Sequence, residues 1–279
     1  MRPHRPKRGF TLVELAMTLF VIALLMGSVM YTLSAQNDQR MRTDSLRSLD
    51  EAKELLITFA IVNGRLPCPA STTTNGAEAD STGLGNCTSF YTGYLPARVI
   101  GFQPQDGSGY GLDAWGNRIR YAISTTIPVN SATPRVCRPL NPSNPPVVPH
   151  FTNKTNLRTN GIDCAPSDLV ICSSSTGISP GSVPPACGAA TPVTNQAVVA
   201  AVIWSQGKNY ANSAYLGVKG QAGDDERVNN KTVANSNHPI FVAHTPAPAG
   251  AAGGEFDDLL TWIPAGQLYG RLVAAGVLP

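Results

Sequence analysis

Charge is scarce in this 279-residue chain: Asp, Glu, Lys and Arg make up 14% of it, against the usual quarter. The formal balance of +3 suggests an acidic partner until the positions are read. Arg2, Arg5, Lys7 and Arg8 all precede Phe10, and beyond them 17 basic residues face 18 acidic ones. A near-neutral body has no electrostatic footprint for nucleic acid, so no such partner is expected. Proline is missing between Pro6 and Pro67, although the chain holds 23 of them, and one long helix is therefore permitted there. No two cysteines form a C-x-x-C pair, and His4, His150, His238 and His244 do not fall at zinc-ligand spacing beside them. The segment GQAGDDER lacks the Gly-Lys-Ser/Thr ending of a phosphate loop. Ser205, His238, His244, Asp257 and Asp258 make a nominal triad, yet Ser205 has no G-x-S-x-G surroundings. The chain is not expected to be an enzyme.

What is present starts with MRPHRPKRGFTLVELAMTLFVIALLMGSV. A basic flank before an apolar run has three readings. An ordinary secretory signal peptide would be cut after a small residue such as Ala35, but the run from Phe10 to about Leu33 exceeds a 7–15-residue apolar core. A plain membrane anchor suits the length, since about 20 residues span the hydrocarbon. Neither explains Glu14, because a lone carboxylate at bilayer depth costs roughly 2.5–3.5 kcal/mol on insertion scales.

The stretch KRGFTLVEL resembles the type IV pilin signature. The resemblance implies a leader of residues 1–9, cleavage by a prepilin peptidase between Gly9 and Phe10, and N-methylation of Phe10. It also makes Glu14 the family's glutamate at the fifth mature position, which pairs with a neighbouring subunit's N-terminal ammonium and sets the register between subunits. One position departs from the pattern: Tyr31 stands where many members carry a helix-loosening proline. The expected location is the bacterial inner membrane, single-pass, with a periplasmic head. The expected partners are other pilin or pseudopilin subunits and the peptidase.

The helix should continue past the membrane to Asn63, because Leu46, Leu49, Ala52, Leu56, Phe59 and Ala60 keep a stripe at helical spacing. Gly64 and Pro67 stop it. That gives a helical region over 10–64 (transmembrane about 10–33) and a head over 65–279. In the head, Cys68 and Cys87 would close a loop of about 20 residues, worth roughly 3 kcal/mol in the chain-entropy model. The piece DAWGNRIRYAIS resembles a turn-to-strand segment of type II secretion pseudopilins. Major pseudopilins bind calcium in a nearby loop, which makes Asp106, Asp113 and Asp224-Asp225-Glu226 candidates; without regular ligand spacing they are read as solvated turn carboxylates. No cofactor is expected, and the metal question stays open.

Residues 128–192 hold twelve prolines and the remaining cysteines Cys137, Cys164, Cys172 and Cys187, and read as a stapled insertion. Sequential pairing would bridge Cys137 to Cys164 and Cys172 to Cys187, among fifteen connectivities for six cysteines. Within it DLVIC (168–172) suggests a strand, and strands are expected at 197–204, 239–243 and 258–263, then a helix after Pro264. The expected fold is α+β, a long N-terminal helix packed on an antiparallel sheet. The expected function is a filament subunit, either a minor pseudopilin of a secretion system or a minor pilin or tip adhesin whose insertion binds a ligand.

Overall fold

The computed structural model describes residues 11–80, 83–129, 136–138, 149–179, 185–195, 197–211, 224–231, 238–248, 250–251 and 254–278, without the side chains of 28–35, 127–129, 136–138 and 211. Its longest element is α1, Leu12–Asn63. Thr11 and Glu14 open this helix reciprocally. Thr11 N and Oγ1 each donate to the Glu14 carboxylate at 3.0 Å, and the Glu14 amide donates back to Thr11 Oγ1 at 3.3 Å. This is a capping box, satisfying donors that a helix start leaves unpaired. At the other end Gly64 adopts φ +72°, and its amide reaches the Ala60 carbonyl at 2.8 Å. A residue with a Cβ resists that conformation, so the glycine ends the helix.

The chain divides into two compact units, residues 1–43 and 44–279. In the first, the apolar side chains from Leu12 to Met26 are all exposed, Leu12 at 84% and Ile22 at 49% being the extremes. Among the described residues, no helix is long and apolar enough to cross a membrane.

In the second unit, four strands form one antiparallel sheet: β1 (Gly93–Tyr94), β2 (Arg120–Ile123), β6 (Val199–Ser205) and β8 (Leu259–Pro264). One face packs on α1, where Leu49, Ala52, Leu56 and Ala60 are wholly buried with Tyr121, Ile123, Ile203 and Ile263. The sequence stripe is thus assigned: Leu49 to Ala60 cover the sheet, whereas Leu46 and Val62 stay exposed. Truncating Leu56 would remove a buried side chain worth about 2–5 kcal/mol. Helix α5 (Ala265–Ala274) closes the same core through Leu268 and Leu272.

The other face is covered too. Strand β5 (Val170–Cys172) pairs with β7 (Ile240–Val242) in a parallel ladder, Val170 opposite Ile240. Leu169, Ile171 and Phe241 cover Ala122, Val202 and Trp204, with the Trp204 and Phe241 rings edge-to-face at 5.0 Å. An antiparallel sheet was expected throughout the head; this pair is parallel and lies outside the four-stranded sheet. The residues of β2 do not split into a wet and a dry face. All four are buried, Arg120 included, its guanidinium lying 4.4 Å from the centre of the Tyr94 ring. A continuous apolar run such as that of β6 is what burial on both faces demands.

Shorter elements complement these: β3 (Ile127–Val129) pairs antiparallel with β4 (Val136–Arg138), and α3 covers Lys154–Asn160. Helices α2 (Ala97–Ile100) and α4 (Asp224–Asn229) are short. Disulfides join Cys68 to Cys87 and Cys172 to Cys187. Cys164 is disulfide-bonded as well. The pairing expected for it involves Cys137, whose side chain lies outside the described residues.

Candidate functional site

Gly9 and Phe10, the residues on either side of the expected cleavage, lie outside the described residues. Glu14 is described, and both its partners are on Thr11. The pattern Thr-x-x-Glu in TLVE is a capping signature, a role for Glu14 beside the expected intersubunit one.

In the head, the DAWGN turn is a junction. The buried Asp113 carboxylate accepts from the amides of Trp115 at 3.0 Å and Asn117 at 2.8 Å, and from Ser205 Oγ at 2.5 Å. Asn117 Nδ2 donates to the Gly207 carbonyl at 2.6 Å, and the Ala114 amide donates to Ser45 Oγ on α1 at 3.1 Å. The turn therefore ties the helix, β2 and the end of β6 together. Burial pushes the Asp113 carboxyl up, against the hydrogen bonds that pull it down.

The carboxylates singled out in the sequence go to separate places. Asp106 pairs with Arg118 at 2.7 Å and caps its own loop through the Ser108 and Tyr110 amides. Asp224 is paired with Arg227 at 3.5 Å, and Asp225 accepts from the Ser175 amide and meets His244. Glu226 leaves these neighbours and joins Asp257 and Asp258, one oxygen of each lying within 4.8 Å of the others. Sequence reading could not find this set, because it spans α4 and the approach to β8. Burial raises Glu226 to about 8 and Asp257 to about 6, so the two cannot both ionise easily. The nominal triad is dispersed: Ser205 donates to Asp113, His238 meets Lys231 Nζ at 3.1 Å, and His244 stacks on Phe256 with ring centres 3.9 Å apart.

Two buried groups were given no structural role from the sequence. Asp168, at the entrance to β5, accepts from Tyr91 Oη at 2.8 Å, the Thr125 amide at 2.7 Å, Thr125 Oγ1 at 2.8 Å and Ser124 Oγ. His150 faces Tyr269 Oη at 3.1 Å, and that hydroxyl spends its proton on the Cys164 carbonyl at 2.5 Å. The imidazole must therefore donate from Nε2.

Burial holds His150 down to about 4, and His238 to about 3, where Lys231 adds to the effect. Both folded values lie below the ordinary 6.5, so between those limits the unfolded chain takes protons that the native one refuses. Stability is then full above pH 6.5 and falls as the pH drops, His150 alone contributing on the order of 3 kcal/mol by pH 4. Glu226 and Asp257, raised by burial, act in the opposite sense. We therefore expect the histidine effect to show in thermal unfolding as the difference between wild type and His150→Phe, which should grow as the pH falls from 6.5 to 4. An unchanged slope in the variant would refute the assignment.

Residues 4–30 match the family model described as the prokaryotic N-terminal methylation motif. No curated protein and no solved structure matches the chain. This chain carries a prepilin-type methylation motif at its N-terminus, as type IV pilins and pseudopilins do.

Proposed function

We propose that this chain is a structural subunit of a type IV pilus-like filament, and within that class a minor pseudopilin of a type II secretion-like system. The observation that carries the reading is KRGFTLVEL inside the matched motif, with Gly9 before Phe10 and Glu14 five residues into the mature chain. Residues 1–9 are removed by a prepilin peptidase and Phe10 is N-methylated. The segment from Phe10 to about Leu33 anchors the subunit in the bacterial inner membrane, and the head stands in the periplasm. The exposed apolar side chains from Leu12 to Met26 support a lipid or subunit environment, since a soluble domain rarely shows so large an apolar surface. The disulfides support an oxidising compartment. The role is structural, not catalytic.

DAWGN favours the secretion filament. A second reading, a minor pilin or tip adhesin, is favoured by the size of the head and the Pro- and Cys-rich stretch at 128–192. Neighbouring genes for a secretion ATPase and outer-membrane channel support the first; neighbours for twitching or adhesion support the second. For the shared claim, Gly9→Val should leave a full-length, membrane-held precursor that is missing from sheared filaments. A variant cleaved and incorporated like wild type would refute it.

A further inference from the structure

Strand β7 has an outer edge closed by side chains rather than by another strand. The Pro239 carbonyl and the Ala243 amide bond to β5 at Val170 and Cys172, so the backbone groups of Ile240 and Val242 point the other way. All four are met. Asn229 Nδ2 donates to the Val242 carbonyl and Asn229 Oδ1 accepts from the Val242 amide, both at 2.8 Å. Lys231 Nζ donates to the Ile240 carbonyl at 2.7 Å, and the Ile240 amide donates to His238 Nδ1 at 3.3 Å. An edge without such cover is a template for a strand from another chain. Two of the covering side chains come from the end of α4 and from the second residue after it.

What fastens α4 in place is the pair Glu226 and Asp257. Glu226 accepts from the Asp257 amide at 2.7 Å and from Asn209 Nδ2 at 3.2 Å, and its carboxyl is also hydrogen-bonded to the Asp257 carboxyl. Asp257 Oδ2 accepts from the Lys208 and Asn209 amides at 2.9 and 3.1 Å. Among the described residues no N–H reaches the buried Asp257 Oδ1, which leaves that oxygen for a proton held by Glu226. Two carboxylates have no proton to share, so this bond exists only while one of the pair stays protonated. The neighbouring charges favour that state: Asp258 lies against the pair, and Glu255 adds negative charge near Asp257. On α4 itself Asp224 meets Arg227 and Asp225 meets His244, while Lys231, which feels Arg120, is bonded along β7.

We propose that α4 is a pH-dependent clasp on the β7 edge, fastened by one proton shared between Glu226 and Asp257. Burial raises Glu226 to about 8 and Asp257 to about 6, both above the ordinary carboxylate range. An opened clasp releases a proton that the closed one keeps, so the clasp is tightest in acid. It loosens as the pH rises above the ordinary glutamate value of 4.5 and levels off near 8. His238 and Lys231, lowered by burial, act in the opposite sense, so variants must be compared at equal pH. The clasp does not depend on the chain being a filament subunit, and its test and the processing test fail separately.

The experiment is hydrogen exchange read by mass spectrometry on the full chain in detergent, for peptides holding Val242 and Asp257, at about pH 5 and about pH 8. Glu226→Gln is the reference, because its amide donates to Asp257 with no proton to lose. The wild-type rate divided by the Glu226→Gln rate at the same pH should grow at least about tenfold between the two conditions. Glu226→Ala removes the fastening outright and should exchange faster than the reference by a factor that does not change with pH. His244→Gln removes the other titratable partner of α4 and should keep the growth. A wild-type ratio that stays constant, the same growth in Glu226→Ala, or growth abolished by His244→Gln would overturn the clasp.

Discussion

Glu14→Ala is expected to abolish incorporation into sheared filaments while leaving cleavage after Gly9 intact. Removing the carboxylate makes membrane insertion easier by roughly 2.5–3.5 kcal/mol, so a failure cannot come from delivery. Two jobs compete for Glu14. Within its own chain it completes the capping box with Thr11. In the filament it would meet the ammonium of a neighbour's Phe10. The magnitudes differ: a cap is worth about 1 kcal/mol, which a helix of 52 residues can lose and remain helical. Leaving an ammonium unpaired in lipid costs several kcal/mol. Glu14→Gln separates the two, because glutamine still caps at this position but cannot neutralise an ammonium. It should therefore fail like alanine. Normal incorporation of the Gln variant with failure of Ala would leave the cap as the residue's only role, and normal incorporation of both would remove the residue from assembly at this subunit's position.

The second large effect is expected at Asp168. Replacing it with alanine leaves the Thr125 amide without its acceptor in a buried site and takes the charged partner from Tyr91 Oη, Ser124 Oγ and Thr125 Oγ1, which keep only weaker hydroxyl partners. Strand β5 would lose its attachment to the end of β2, and with it the cover over Trp204. A loss of about 3–5 kcal/mol follows, or roughly 10 °C in Tm for a head of this size. Tyr91→Phe removes one donor only and should cost about 1 kcal/mol. Combined with Asp168→Ala it should add little further, since its partner is already gone. A Tm within about 2 °C of wild type for Asp168→Ala would show that the junction carries little of the stability.

The long helix was legible because its signals are local: no proline from 7 to 66, a stripe at 3.6 spacing and Gly64 at the end. The buried strands at 199–205, 240–242 and 259–264 and the closing helix were legible for the same reason. What stayed hidden depends on pairing across long separations. Strand β5 sits in the proline-rich stretch, and its partner β7 is some 70 residues further on, beyond any local pattern. Nothing local in RYAI says that Arg120 is buried, and only the second layer explains it. The triplet Asp224-Asp225-Glu226 looked like one acidic group, but successive residues of a helix face different ways, so it splits among Arg227, His244 and Asp257. At 7–15 the chemistry left a carboxylate unexplained after a glycine and a basic flank, and the processing reading came from the resemblance to type IV pilins.

That motif carries two chemical events, cleavage after Gly9 and methylation of Phe10. Intact-mass spectrometry of the protein extracted from membranes reads both events at once. The expected chain begins at Phe10, lighter by residues 1–9 and heavier by one methyl group. A chain beginning at Gln36, or one retaining Met1 through Gly9 in the presence of an active prepilin peptidase, would contradict it.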